Sequence, residues 1–254
     1  MNRISMLGPT TVTIDGEPRR LTAPKQRAVL AQLALEPGVA LTADRLLDEV
    51  WGDQIPAGGA KAVAFQITKL RDVLEPERHG EGTLIRTTSG GYALDVDARQ
   101  IDVHDVASVI EDAGRAIVDD PVKAQYLAED ALAMWRGQPF ADVPESASIE
   151  EEMRRLGLLQ DRAHRLFFEA RVALGAHDEV LADIARYVER HPLDEAATAL
   201  LMRALDSAGR TAEALRAFGA LRRRLVEELG IDPSPELGEL EMSILTRERA
   251  ELEA

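Results

Sequence analysis

Three consecutive helical patterns within residues 24–74, a glycine-turned pair of strand patterns after them, and a near-continuous series of helical segments beyond residue 95 predict the fold class. It is an α+β winged helix-turn-helix domain followed by an all-α, tetratricopeptide-like helical domain, with boundaries expected at residues 1–95 and 104–254. Helices ahead of a glycine-turned hairpin set one helix into a major groove while the hairpin touches the adjacent backbone. The first module is therefore expected to meet double-stranded DNA.

The elements follow in order. Ile4 and Met6 alternate as in a strand, and Thr11-Val12-Thr13-Ile14 forms a second strand that ends at Asp15-Gly16, a strong hairpin signal. A third short strand is expected through Arg19-Arg20-Leu21. Pro24 suits the first turn of a helix because its missing amide hydrogen has no intrahelical partner there, and Thr22 is the expected cap. Val29, Leu30, Leu33 and Ala34 recur at helical spacing until Pro37-Gly38 ends the run at residue 36. Thr42 opens the next helix, buried through Leu46, Leu47, Val50 and Trp51, and residues 52–59 form a loop by composition. Val63, Ile67, Leu70 and Leu74 bury the third helix, which Pro76 stops, and its outward face offers Lys61, Ala64, Thr68 and Arg71 with Lys69 close by. The hairpin turns at Ser89-Gly90-Gly91.

Beyond Asp95 helical segments are expected near residues 104–118, 121–135, 149–174, 178–190, 193–208, 211–229 and 234–246, with breaks at Gly or Pro. Ala170, Gly175, Val180, Leu181 and Ile184 recur 34 residues later as Ala204, Gly209, Ala214, Leu215 and Phe218. That is the period of tetratricopeptide helix pairs.

Composition narrows the function. The 254 residues are 45% hydrophobic, enough for packed cores, and carry a formal charge of −15. Residues 1–95 hold 11 Lys and Arg against 12 Asp and Glu, and residues 96–254 hold 19 against 33. The acidity thus lies in the second half, where it opposes DNA wrapping, while the first half is near neutral and depends on a local basic face. The absence of cysteine removes disulfides, thiolate nucleophiles and sulfur-ligated zinc. With no signal-like or membrane-spanning apolar run, a cytoplasmic, nucleoid-associated protein with no membrane partner is expected. His79, His104, His164, His177 and His191 are scattered without metal-ligand spacing and are assigned capping or surface roles. No phosphate-cradling loop or nucleophile elbow occurs. No enzyme activity, catalytic residue, metal or cofactor is expected. Trp51 and Trp135 are read as packing residues, and Arg222-Arg223-Arg224 as a solvated helix face with local ion pairs.

Several ordered motifs carry a family likeness: Leu7-Gly8-Pro9, Pro24-Lys25-Gln26-Arg27-Ala28-Val29-Leu30, Asp44-Arg45-Leu46-Leu47-Asp48-Glu49-Val50-Trp51-Gly52, Lys69-Leu70-Arg71 and Gly91-Tyr92-Ala93-Leu94 in the first half. Ala131-Leu132-Ala133-Met134-Trp135-Arg136-Gly137, His191-Pro192-Leu193 and the run from Val226 to Leu237 continue it in the second. Together they resemble the SARP/AfsR-like family of antibiotic-pathway activators, which join an OmpR/PhoB-type winged helix to a bacterial transcriptional activation domain. The resemblance implies a transcriptional activator that binds promoter direct repeats as a homodimer and recruits RNA polymerase, including its sigma factor. The sequence departs from the family where DNA would be read. Lys61, Ala62 and Ala64 stand at positions usually held by Asn, Thr and Gln, and Asp72 stands where a second arginine is usual.

The expected DNA-binding residues are Lys25, Gln26 and Arg27 at a helix start, Lys61, Thr68, Lys69 and Arg71 on the recognition helix, and Arg86, Thr87 and Thr88 on the wing. Helix-start amides with neighbouring cations favour phosphate, arginine favours guanine, and short hydroxyls donate to backbone or base edges. Asp53 and Gln54 lie in the loop that faces polymerase in winged helices of this type. The competing reading of each is a solvated surface or connector. Ala64, Asp72 and the −1 charge of residues 1–95 also leave open a different class: a protein-interaction scaffold whose winged helix has lost DNA binding.

Overall fold

The computed structural model describes residues 2–75 and 84–252. The expected stop at Pro76 and the role given to His79 lie outside the described residues. The chain divides into two compact units, residues 1–111 with 130–161, and residues 112–129 with 162–254. Among the described residues no helix is long and apolar enough to cross a membrane.

The first unit opens with an antiparallel sheet in the order β1-β2-β3, from Arg3–Ser5, Thr11–Ile14 and Glu17–Arg19. Asp15 and Gly16 both take positive φ, 54° and 86°, as a two-residue hairpin turn with right-handed strand twist requires. Because Ile14 pairs directly with Glu17, the third strand starts two residues earlier than expected and ends before Leu21.

Helix α1 (Pro24–Leu35) is capped from Ala23 rather than Thr22, and Gln26 reaches back so that its Oε1 accepts the Ala23 amide at 3.4 Å. It is buried around most of its circumference, at Ala28, Val29, Leu30, Ala31, Leu33 and Ala34, so it forms the centre of this unit. Helix α2 (Ala43–Trp51) has Thr42 as its cap, with Oγ1 accepting the Arg45 amide at 3.1 Å. Helix α3 (Ala60–Leu74) buries Val63, Ile67, Leu70 and Leu74.

Strands β4 (Ile85–Thr88) and β5 (Gly91–Leu94) pair antiparallel, with Thr88 opposite Gly91. Leu41 joins them as an isolated bridge, exchanging two amide hydrogen bonds of 2.9 Å with Tyr92. This approach explains Gly91: at φ 130° its missing Cβ would lie 1.9 Å from the Leu41 carbonyl oxygen.

Helix α4 (Asp102–Ala116) begins at a carboxylate with a structural task. Asp102 is 2% exposed and accepts the Met6 and Leu7 amides at 2.7 and 3.0 Å, with Arg136 3.6 Å away. Burial raises its pKa above the ordinary aspartate value, against the pull of those amides and of Arg136. After α5 (Pro121–Ala133), the irregular stretch 134–146 lies along the first sheet. The Arg136 and Phe140 amides donate to the Leu7 and Met6 carbonyls at 2.7 and 2.8 Å, and Asp142 takes the Thr10 amide and hydroxyl, both at 2.8 Å. At the start of α6 (Ala147–Ala173), Ser148 bonds Gln32 at 3.0 Å and Glu49 at 2.7 Å. Burial pushes the Glu49 carboxyl up, but hydrogen bonds from Ser148 and Ser146 hold it below the ordinary value. Trp135 is half-buried, with an indole nitrogen that has no partner among the described residues.

The second unit is built from α7 (His177–Arg190), α8 (Glu195–Ser207), α9 (Thr211–Arg224) and α10 (Pro235–Leu252), together with residues 112–129, which include most of α5, and the later part of α6. The 34-residue repeat is visible in space. Gly175 and Gly209 turn their helix pairs at φ 77° and 71°. Ala170 and Ala204 are both buried, and Val180 and Ala214, with Ile184 and Phe218, are buried in one core. Alanine at 170, 204 and 214 lets the helices approach closely, and Ile184 and Phe218 hold corresponding places in the repeat. A π-helical turn, Leu225–Leu229, continues α9 where a regular helix was expected, and Gly230 ends it in a left-handed conformation.

His104, His164 and His191 are more integrated than scattered surface residues would be. His104 Nε2 lies 2.8 Å from the Ala34 carbonyl. His164 packs on Phe168 and Tyr187, and His191 stacks on Tyr187 with centroids 4.2 Å apart. Arg222 meets Asp232 at 3.7 Å, which places the ion pair of that arginine run beyond the helix end.

Candidate nucleic-acid interface

Helix α3 has two faces. Opposite its buried stripe, Lys61, Phe65, Thr68, Lys69 and Asp72 are exposed, at spacings of four, three, one and three residues that keep them on one side of the helix. Ala64, expected on this face, is half-buried. Phe65 is 57% exposed, and sequence reasoning missed it because an aromatic within a helical pattern reads as one more apolar residue. Thr68 donates its hydroxyl hydrogen to the Ala64 carbonyl at 3.0 Å, which leaves its oxygen lone pairs turned outward as acceptors. Lys69 lies 3.5 Å from the Asp72 carboxylate and 5.8 Å from the Phe65 ring centroid.

Arg71 is turned away from this face. Its Nε and Nη2 donate to the Ile85 carbonyl at 3.0 and 2.7 Å, and Nη2 also donates to Thr87 Oγ1 at 2.8 Å. The expected base reader is thus a strut between α3 and the wing. A planar fork with parallel donors suits this bridging, and a lysine could not copy it. The chain separation of 14 to 16 residues hid the contact from any local pattern.

On the wing, Arg86 is exposed and pairs with Asp95 at 2.9 Å. Thr87 is engaged by Arg71, and Thr88 Oγ1 accepts the Gly90 amide at 3.2 Å and so shapes the turn. Asp53 and Gln54 are exposed in the loop between α2 and α3, and the Gln54 amide donates to the Trp51 carbonyl at 2.9 Å.

The start of α1 differs from expectation. Lys25 donates to the Val50 carbonyl and lies 5.3 Å from the Trp51 ring centroid, and burial draws its ammonium below the ordinary lysine value. Gln26 is buried. Arg27 donates to the Asp142 and Leu21 carbonyls at 2.7 and 3.0 Å and pairs with the Asp142 carboxylate at 3.2 Å. All three side chains are committed to holding the first unit together.

Two family models match the chain. "Transcriptional regulatory protein, C terminal" matches residues 16–94, and "Bacterial transcriptional activator domain" matches residues 101–245. Regulatory protein AfsR of Streptomyces coelicolor is 36% identical over 98% of this chain, which spans 24% of the length of that relative. Regulatory protein DnrI of Streptomyces peucetius is 35% identical over 96% of this chain and 92% of its own length. Transcriptional regulator RedD of Streptomyces coelicolor is 30% identical over 96% of this chain and 71% of its own length. Among solved structures, Mycobacterium tuberculosis EmbR in complex with a low affinity phosphopeptide matches with a TM-score of 0.89 and 28% identity, over 97% of this chain and 65% of that one. With a winged helix, a helical-repeat unit and these relatives in one chain, it belongs to the SARP/AfsR-like family of transcriptional activators.

Proposed function

We propose that this chain is a sequence-specific DNA-binding activator of a secondary-metabolite, antibiotic-type pathway. In this reading, residues 1–95 read the DNA and residues 104–254 act as the activation domain. The outward face of α3, with Lys61, Phe65, Thr68 and Lys69, enters a major groove, and Arg86 on the wing reaches backbone. The observation that carries this reading is the exposure of that face on a helix whose opposite side is fully buried. A helix so held presents a rigid, mixed cationic and hydrogen-bonding surface, as groove reading requires.

The sparse charge of the face fits binding as a homodimer on promoter direct repeats, where two modest contacts gain effective concentration from their linkage. Asp53 and Gln54, exposed between α2 and α3, are suited to meet a basic surface of sigma factor while RNA polymerase is recruited. Selection from randomised DNA with the whole chain tests the reading. It should enrich one tandemly repeated motif, and enrichment of none would remove it.

One set of observations favours the scaffold reading. Lys69 on α3 and Arg86 on the wing, two of the cations proposed to meet DNA, each already face a carboxylate, Asp72 and Asp95. A winged helix that no longer needed phosphate would tolerate such pairs. The same selection separates the two readings.

A further inference from the structure

Phe65 is an apolar ring held in water. It is 57% exposed on the outward face of α3, between Lys61 one turn earlier and Lys69 one turn later. Leaving an aromatic ring exposed forgoes the stabilisation that burial would give. Its neighbours explain neither its size nor its position, since the core stripe of α3 is complete without it. Lys69 lies 5.8 Å from its ring centroid, so the ring and a phosphate-seeking cation form one small unit.

We propose that Phe65 is a specificity-determining residue that reads the C5-methyl group of thymine in the major groove. The inference rests on the DNA-reading function above and adds which base is read and by what chemistry. In the major groove the thymine methyl is an apolar feature that distinguishes A·T from the other pairs, and an aromatic side chain is a fitting partner for it. The flanking lysines provide charge complementarity, drawing the helix toward phosphates on either side and bringing the ring to the groove floor. Of the neutral side chains exposed on this face, Thr68 is the polar one, and its hydroxyl hydrogen is occupied by the Ala64 carbonyl, which leaves it an acceptor. Apolar readout would then replace polar readout at this point of the site.

The test starts from the motif enriched by the intact chain. Each thymine is replaced singly by deoxyuridine, which removes only the methyl. Binding is measured for the unaltered chain, Phe65→Ala and Phe65→Leu. The unaltered chain should weaken about three- to tenfold at one or two adjacent thymines, the size expected for one methyl leaving an apolar contact. Phe65→Ala should show no further loss at those positions, and Phe65→Leu an intermediate loss. Placing 5-methylcytosine at a selected cytosine variant of the same position should restore part of the affinity for the unaltered chain alone. Because the ring is exposed, the far-ultraviolet spectrum and thermal midpoint of Phe65→Ala should match those of the unaltered chain. If a motif is enriched but the deoxyuridine penalty is absent, or persists in Phe65→Ala, the thymine inference is overturned while DNA reading stands. If no motif is enriched, both fall. A Phe65→Ala variant that binds the motif normally but loses its dimer or a polymerase contact would assign the ring to a protein surface and would also overturn the inference.

Discussion

Replacing Arg71 by alanine tests how the recognition helix and the wing are joined. The guanidinium makes three hydrogen bonds, two to the Ile85 carbonyl at 3.0 and 2.7 Å and one to Thr87 Oγ1 at 2.8 Å. Hydrogen bonds from a charged donor contribute about 1.5–3 kcal/mol when well shielded. Arg71 is only half-buried, so water replaces part of what is lost, and the net cost of Arg71→Ala should be about 1–2 kcal/mol in stability. The wing would then swing independently of α3, and DNA binding should weaken by a similar factor across every variant of the site. Arg71→Lys should recover little, because an ammonium cannot bridge both acceptors in the same plane. The assay pairs urea denaturation with binding to the selected site and to each of its single-base variants. Unchanged stability together with an affinity loss confined to one base pair would show that Arg71 reaches a base, and would refute the strut.

Other outcomes follow from the same geometry. Asp72→Asn and Asp95→Asn should remove carboxylates that compete with phosphate for Lys69 and Arg86, at 3.5 and 2.9 Å, and so raise DNA affinity at low salt on every sequence; an unchanged affinity would mean those cations do not meet phosphate. Gly91→Ala should cost about 2–4 kcal/mol, since the added Cβ meets the Leu41 carbonyl and the backbone is left-handed, and a near-unchanged thermal midpoint would contradict the close approach. Asp102 gives a pH signature. Burial raises its folded pKa, so the folded state binds more protons than the unfolded one between the unfolded value of about 3.9 and the raised one. The stability of the unaltered chain relative to Asp102→Asn should therefore be greatest below that unfolded value, decline as pH rises through the raised value, and level off above it; a relative stability that rises with pH across this window would reverse the assignment.

Much of the architecture was legible because local chemistry and tertiary packing agree. Pro24, Thr42 and the Asp15-Gly16 turn mark their elements directly, and the apolar stripe of α3 identifies its buried face. The misreadings have separate physical causes. Thr22 was displaced as a cap because Gln26 satisfies the amide from Ala23. The stretch 134–146 carries no periodicity, since its order comes from backbone bonds to Met6 and Leu7 far away in the chain. Lys25 and Arg27 are cationic, and in sequence a cation that bonds carbonyls is indistinguishable from one that seeks phosphate. Phe65 shows the converse, an apolar residue whose outward direction depends on the one-residue phase of the helix.

Entry of the outward face of α3 into DNA is tested by the salt dependence of binding by Lys61→Ala and Lys69→Ala. Each substitution should weaken binding on every sequence and lower the slope of log affinity against log salt by about one unit, with folding unaffected because both side chains are exposed. Affinity and slope indistinguishable from those of the unaltered chain in both variants would place the DNA elsewhere and contradict the account.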